Sequence, residues 1–369
     1  MATPPIGLPA ERLPTPALLL HRGKMEANVR RMATAMAGVA AIRPHAKTHK
    51  CVEIARRQLE AGAVGITAAT TREAAALVAG GVPEVLVANE VASEQGIAEL
   101  VACAAAARIL VAVDDAGNAA AISRAALAAG TEIGVLVDVD VGMGRGGTRT
   151  GEEAVAVAAA VERLPGLRLR GAMGYEGHTV LERDEGRRER LAVQALDLLA
   201  ERVARLREAG HAIEIVSAGG TNTHRFTGPH PAVTELQVGT YAVMDTAYQP
   251  FAPGFEPALG VLGSVVSAHG DRVILDCGSK TIADISLAPP GAPAGMTVRE
   301  LHEEHALLDL DPGFGPPPAL GERIELTVSY AGGTVNLHDS YHVIDDGRVA
   351  GVWKIVARGP GLGPYEEEI

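Results

Sequence analysis

Eight consecutive residues, Arg43-Pro44-His45-Ala46-Lys47-Thr48-His49-Lys50, place two lysines, two histidines and an arginine directly after the apolar run 38–42. If the stretch ends a β-strand, side chains alternate. Arg43, His45 and Lys47 then share one face, Pro44 and Ala46 take the other, and Lys50 begins the next helix. Neighbouring cations and partial burial both lower a lysine's pKa. An uncharged amine is what covalent capture of an aldehyde requires, and an adjacent imidazole can carry protons. A solvated basic loop would use the same residues, so the stretch alone leaves both readings open.

Four further stretches carry chemistry-bearing types. Asp138–Gly147 (DVDVGMGRGG) surrounds Arg145 with glycines that let it approach a ligand oxygen, although a flexible loop would look the same. Gly174–His178 (GYEGH) gathers a phenol, Tyr175, a carboxylate and an imidazole, His178. Ser217–Thr223 (SAGGTNT) and Val238–Tyr241 (VGTY) supply small residues whose backbone N–H groups could form an anion-binding concavity. A lysine facing a phosphate cradle is the pair that pyridoxal 5'-phosphate needs: an amine for its aldehyde and an anchor for its phosphate.

These stretches need a frame that brings them together. From about residue 24 to 245, helix-like and strand-like segments alternate, and eight strands can be counted, from AAIRPHAK to ELQVGTYAVMD. Strands apolar on both faces and separated by helices imply a parallel sheet. Eight such units fit a closed (β/α)8 TIM barrel, whose active sites assemble at the carboxyl ends of the strands. Ser93 is placed to cap one helix. Leu191, Leu198, Leu199, Val203 and Leu206 mark the buried stripe of another. The Pro- and Gly-rich segment after Asp245 reads as a crossover. Beyond it lie short alternating strands, among them RIELTVSY and TVNLHDSYHVID, with an Asp346-Gly347 turn. The expected fold is therefore α/β, with a cofactor-binding barrel over 24–248 and a mostly antiparallel β domain formed by 249–369 with 1–23.

Bulk composition narrows the function. Of 369 residues, 47% are hydrophobic but only 3% aromatic, so the core must be aliphatic. A net charge of -12 argues against nucleic-acid binding. Cys51, Cys103 and Cys277 have neither metal nor disulfide spacing, which suggests a reducing compartment. The amino-terminal residues lack the pattern of a signal peptide or membrane span. The expectation is a soluble, cytoplasmic protein.

PHAKTHK, DVDVGMGRGG, GYEGH, EIVSAGGT and TELQVGTYAVMD together resemble the D-threonine aldolase and D-serine dehydratase family, pyridoxal-phosphate enzymes of the alanine-racemase type. LPTPALLL, ILDCGSKTIADI, Glu303–His305 and TVNLHDSY extend the resemblance over nearly the whole chain. It implies a homodimer acting on a small D-amino acid. Lys47 resembles the cofactor's lysine, Arg145 an arginine near the cofactor's phenolic oxygen or the substrate, and Tyr175 a residue beside the pyridine ring. Gly219, Gly220, Thr221, Gly239, Thr240 and Tyr241 resemble the phosphate site, with Ala218 where relatives often carry glycine.

One departure bears on mechanism. The family implies a metal pair just before TVNL, and in ungapped register Tyr330 and Gly332 stand at those positions. Neither makes an ordinary ligand pair for Zn²⁺ or Mn²⁺. His338, Asp339 and His342 lie nearby in sequence, but the expectation is that the family metal is absent. Without metal, loss of a β-hydroxyl as hydroxide is harder than retro-aldol cleavage, which needs only a base such as His45, His178 or Tyr330. The favoured expectation is a lyase cleaving a D-3-hydroxy amino acid. The alternatives are a racemase or epimerase using Lys47 and Tyr330 as two bases, a D-serine dehydratase-like ammonia-lyase and, last, a non-catalytic cofactor carrier.

Overall fold

Runs of Val, Ile, Leu and Ala form the inner strands, as their two-sided apolar pattern demands. The computed structural model describes residues 5–359. After β1 (Ala17–His21) and α1 (Arg22–Met36) come eight parallel strands: β2 (Ala41–Ile42), β3 (Ile66–Ala68), β4 (Glu84–Glu90), β5 (Arg108–Val113), β6 (Ile133–Asp138), β7 (Leu167–Met173), β8 (Ile215–Ala218) and β9 (Glu235–Leu236). Between them run α2 (Val52–Glu60), α3 (Thr71–Ala79), α4 (Glu94–Ala104), α5 (Ala116–Ala129), α6 (Gly151–Arg163), α7 (Glu185–Glu208) and the short α8 (His224–Thr227). Pairing runs in order from β3 to β9, and β9 pairs with β2. The circle closes where Val64 N–H donates to Ile42 C=O (2.9 Å), Thr67 N–H donates to Pro44 C=O (2.7 Å) and His45 bridges Thr67. This is the (β/α)8 barrel that the alternation predicts.

Aliphatic side chains fill it. Every residue of β6 is buried, and Leu86, Leu110, Ala112, Leu136 and Met173 pack as one cluster. Ser93 caps α4 by accepting the Gly96 N–H at 3.1 Å. The buried face of α7 is rotated from the leucine stripe. Ala192, Ala195, Leu196, Leu199, Val203 and Leu206 are buried, while Leu191 and Leu198 are only half-buried, because the small alanines let the helix sit closer on that side.

The chain divides into two compact units, one made of 32–47 and 54–239, the other of residues up to Arg31, Thr48–Glu53 and the chain from Thr240 onward. The second unit contains β10 (Leu259–His269), β11 (Arg272–Leu275), β12 (Met296–Leu301), β13 (Ala306–Leu310), β14 (Arg323–Thr327), α9 (Ala331–Asn336), β15 (Ser340–Asp345) and β16 (Arg348–Lys354). Its sheet is ordered β12-β13-β11-β10-β1-β15-β16, with β14 on β10, and only the β1–β15 pair is parallel. Asp346 and Gly347, both at positive φ, form the tight turn between β15 and β16.

Two strand expectations fail here. RIELTVSY stops being strand after Thr327, and Thr334–Asn336 of TVNLHDSYHVID lie in α9. The cause is long-range: the Asp245 carboxylate accepts the Ala331 N–H at 2.8 Å and so starts a helix that local alternation does not announce. The β12–β13 hairpin, with Glu303–His305 at its turn, was not anticipated either.

Candidate active site

Lys47 stands on a 3-10 turn, Ala46–Thr48, just past the carboxyl end of β2. The expected strand does not reach it: the ladder runs past Pro44, with His45 N–H donating to Val238 C=O at 2.9 Å, and gives way to the turn at Ala46. Arg43 and His45 therefore keep one register against β9, and Lys47 leaves it. Arg43 is buried and forked onto Glu235 (Nε–Oε1 2.9 Å, Nη2–Oε2 3.0 Å) and also reaches Glu84 at 2.8 Å. His45 is buried, and its Nδ1 accepts the Lys47 N–H at 3.4 Å. Lys50, at φ 45°, precedes α2 instead of beginning it, and its Nζ donates to Ala357 C=O at 3.1 Å. His49 is buried, with its carbonyl accepting the Tyr341 hydroxyl at 2.6 Å.

The cation that acts on Lys47 is therefore not a sequence neighbour. Solvent still reaches the side chain, yet protein crowds its Nζ enough that desolvation lowers the ammonium pKa. Arg145 lowers it further and Glu73 opposes. Both cations lie near the ring of Tyr175: Lys47 Nζ is 5.8 Å and Arg145 Cζ 5.9 Å from its centroid.

Arg145 is held out on a constrained loop after β6. Thr148 N–H donates to Asp138 C=O (2.9 Å) and Asp140 N–H to Thr148 C=O (3.0 Å), closing the loop at its base. Asp140 Oδ1 accepts the N–H groups of Gly142 and Gly144, and Asp114 accepts that of Gly147. Gly147 has φ +97°, and a Cβ there would lie 2.5 Å from the Asp140 nitrogen, so only glycine fits. Beneath the loop, burial and then its hydrogen bond with Glu90 raise the Asp138 pKa, with Arg145 opposing. His178, on the 3-10 turn Gly177–Thr179, is exposed and lies against Gly142.

The glycine-rich segment follows β8. A Cβ on Gly220 would sit 3.3 Å from the Tyr175 ring, so this glycine lets the backbone pass close to the phenol. The amides of Gly219 and Gly220 are engaged inside the protein, with Glu176 Oε2 and Thr223 Oγ1, both at 3.1 Å. Thr221 is buried beside them. Gly239 ends the barrel unit, and Thr240 and Tyr241 open the next on a 3-10 turn, Thr240–Ala242. Tyr241 is buried, its ring edge-on to Phe255 at 5.8 Å. Tyr330 belongs to the same unit as Tyr241. It precedes α9 and stacks on Tyr248 with centroids 6.5 Å apart. Sequence reasoning brought Lys47, Arg145 and Tyr175 together correctly but overlooked Glu176 as a site residue, although its alternation with Tyr175 in GYEGH was visible.

Residues 20–247 match the family model described as "Alanine racemase, N-terminal domain", and a serine dehydratase domain model matches 258–344. The chain is 40% identical over 364 residues to a D-threonine aldolase from an Arthrobacter species, covering 96% of this chain and 95% of that protein. The chain belongs to the D-threonine aldolase and D-serine dehydratase family of alanine-racemase type. Another member, a 3-hydroxy-D-aspartate aldolase from Paracoccus denitrificans, is 33% identical over 370 residues, with 96% of this chain and 95% of the other covered. The crystal structure of D-threonine aldolase from Filomicrobium marinum superposes with a TM-score of 0.90 at 35% identity, covering 97% of this chain and 98% of that one. Membership makes this chain an enzyme of the family's pyridoxal-phosphate-dependent lyase type. Among the described residues no helix is long and apolar enough to cross a membrane.

Proposed function

We propose that this enzyme cleaves a D-3-hydroxy amino acid to glycine and an aldehyde. The observation that carries the reading is the Lys47–Tyr175–Arg145 array, an amine of lowered pKa and a guanidinium each within 6 Å of one phenol ring. The site fits pyridoxal phosphate. Gly220 leaves room where a Cβ would approach the Tyr175 ring, and Lys47 offers an amine whose lowered pKa favours the uncharged form that an aldehyde needs. When bound, the cofactor supplies that aldehyde and a ring that spreads the charge left at Cα when a bond there breaks.

The chain's own residues divide the remaining work. Lys47 would hold the cofactor and carry a proton at Cα. Arg145 would hold an anionic oxygen, and Tyr175 would wall one side. The segments Gly219–Thr221 and Gly239–Tyr241 would receive the phosphate. Retro-aldol cleavage breaks Cα–Cβ as the β-hydroxyl loses its proton, and His45, His178 or Tyr330 would take that proton.

The metal that the family resemblance implies does not fit these residues. Tyr330 and Gly332 occupy the expected ligand positions, and His338 Nε2 is hydrogen-bonded to Thr281 C=O at 2.8 Å. Among the described residues no three His, Cys, Asp or Glu side chains cluster to hold an ion. No step is therefore assigned to a metal. The replacement of a ligand by Tyr330 favours a second reading, racemisation with Lys47 and Tyr330 as the two bases. The functional enzyme is proposed to be a homodimer in the cytoplasm.

The test is a substrate panel of D-threonine, L-threonine, D-serine and both alanines. Acetaldehyde and glycine from D-threonine support the proposal. Pyruvate from D-serine would make the enzyme a dehydratase, solvent deuterium at Cα with inversion would make it a racemase, and no turnover would leave a carrier. Lys47→Ala is expected to remove both the yellow band of bound cofactor and all turnover.

A further inference from the structure

Glu176 is fully shielded from solvent, and hydrogen-bond donors satisfy its carboxylate oxygens. Its Oε2 accepts the Gly219 N–H at 3.1 Å, and its Oε1 accepts the hydroxyls of Thr223 and Thr227, both at 2.6 Å. Thr223 passes the restraint on. Its Oγ1 accepts the Gly220 N–H at 3.1 Å while its O–H points to Glu176. One carboxylate thus fixes both glycine amides, the first directly and the second through a single hydroxyl. Buried carboxylates persist only where their oxygens are satisfied, and here all three donors come from the segment 219–227. Gly219 has φ +87°, and a Cβ there would meet Leu236 at 2.8 Å and Thr227 at 3.0 Å, so the segment is packed as tightly as it is bonded. A side chain at position 220 would meet the Tyr175 ring, while Glu176 holds the Gly219 amide. Two adjacent residues therefore border the loop.

We propose that Glu176 is the positioning residue of the anion-binding loop: by taking up the Gly219 and Gly220 amides it fixes the turn that presents the loop's later donors to a phosphate group. The inference rests on the pyridoxal-phosphate reading above. Glu176 touches neither cofactor nor substrate in this role. Its charge is drawn into three hydrogen bonds behind the loop, where it does not face the incoming dianion.

The test compares binding of pyridoxal phosphate with binding of pyridoxal, which carries the same aldehyde without the phosphate. Cofactor-free wild type, Glu176→Gln, Thr223→Val and Thr223→Ser are titrated with each and followed by absorbance. Glu176→Gln and Thr223→Val should weaken pyridoxal phosphate roughly tenfold or more while pyridoxal changes by less than about twofold, and Thr223→Ser should bind like wild type. Equal weakening of both ligands would reduce Glu176 to general structural support and overturn the proposal. Unchanged phosphate preference in Glu176→Gln and Thr223→Val would overturn it as well. A wild type that does not prefer the phosphorylated form would instead sink the cofactor reading itself. Circular dichroism checks folding, and if Glu176→Gln does not fold, Thr223→Val and Thr223→Ser decide the matter.

Discussion

Arg43 and Lys47 are four residues apart, and the structure assigns them to different tasks, which a single substitution separates. Replacing Arg43 by Met removes a buried guanidinium that makes three short contacts, two to Glu235 and one to Glu84. Breaking a buried ion pair from one side costs about 3–5 kcal/mol, because the other charge stays behind. That cost is incurred once, not twice: Glu84 keeps Arg108 at 2.8 Å, whereas Glu235, with its side chain only 5% exposed, is orphaned. Arg43→Met should therefore lower the urea unfolding free energy by about 3–5 kcal/mol. The pH at which the Lys47 amine of the cofactor-free protein titrates, followed by its reaction with an amine-selective reagent, should stay put, since Arg145 and not Arg43 is the cation acting on that amine. Adding Glu235→Gln to Arg43→Met should restore much of the lost stability by removing the orphan. A stable Arg43→Met protein with a shifted Lys47 titration would refute the reasoning and restore the simpler picture of one basic cluster.

Asp245 predicts a pH trend: burial pushes its carboxyl up to about 6 against hydrogen bonds from Ala331, Tyr248 and Ala247. Below the unfolded value near 3.8 it is protonated in both states. Between about 3.8 and about 6 the unfolded chain alone ionises, so stability falls across that window by about 3 kcal/mol in all and levels off above about 6, where both states are ionised. Asp245→Asn should flatten that slope in urea unfolding measured from pH 4 to pH 7. Gly147→Ala should strain the Arg145 loop by about 1–3 kcal/mol and open 139–148 to limited proteolysis. Dialysis against a chelator should leave turnover intact; activity lost to EDTA and regained with one divalent ion per chain would restore the metal that Tyr330 and Gly332 argue against.

Much of the barrel was legible because strands such as β5 and β6 are apolar on both faces and are separated by helices with readable caps such as Ser93. The strand at Lys47 was overestimated because alternation in RPHAK is a pattern of types, whereas backbone pairing lasts only to His45 and the chain turns at Ala46. The right principle was applied to the wrong charges: Lys47 does feel a cation, but it arrives from the β6 loop, a contact that only closure of the barrel creates. The helix α9 was read as strand because its first free N–H is capped by Asp245, far back in the sequence. Glu176 escaped for a related reason. A carboxylate beside a candidate site suggests proton chemistry, and only the fold shows it turned inward toward amides.

The position of β1 has a consequence for biosynthesis. Leu18 pairs with Val261 and Leu19 with His342, so a strand near the start of this sequence sits in the middle of a sheet whose neighbouring strands are translated long after it. Until then Leu18, Leu19 and Leu20 form an apolar ribbon without partners, the kind of edge that invites aggregation. Chaperone demand during expression should accordingly concentrate on these leucines, and a tag or truncation that reaches Ala17–His21 removes a central strand rather than trimming an end.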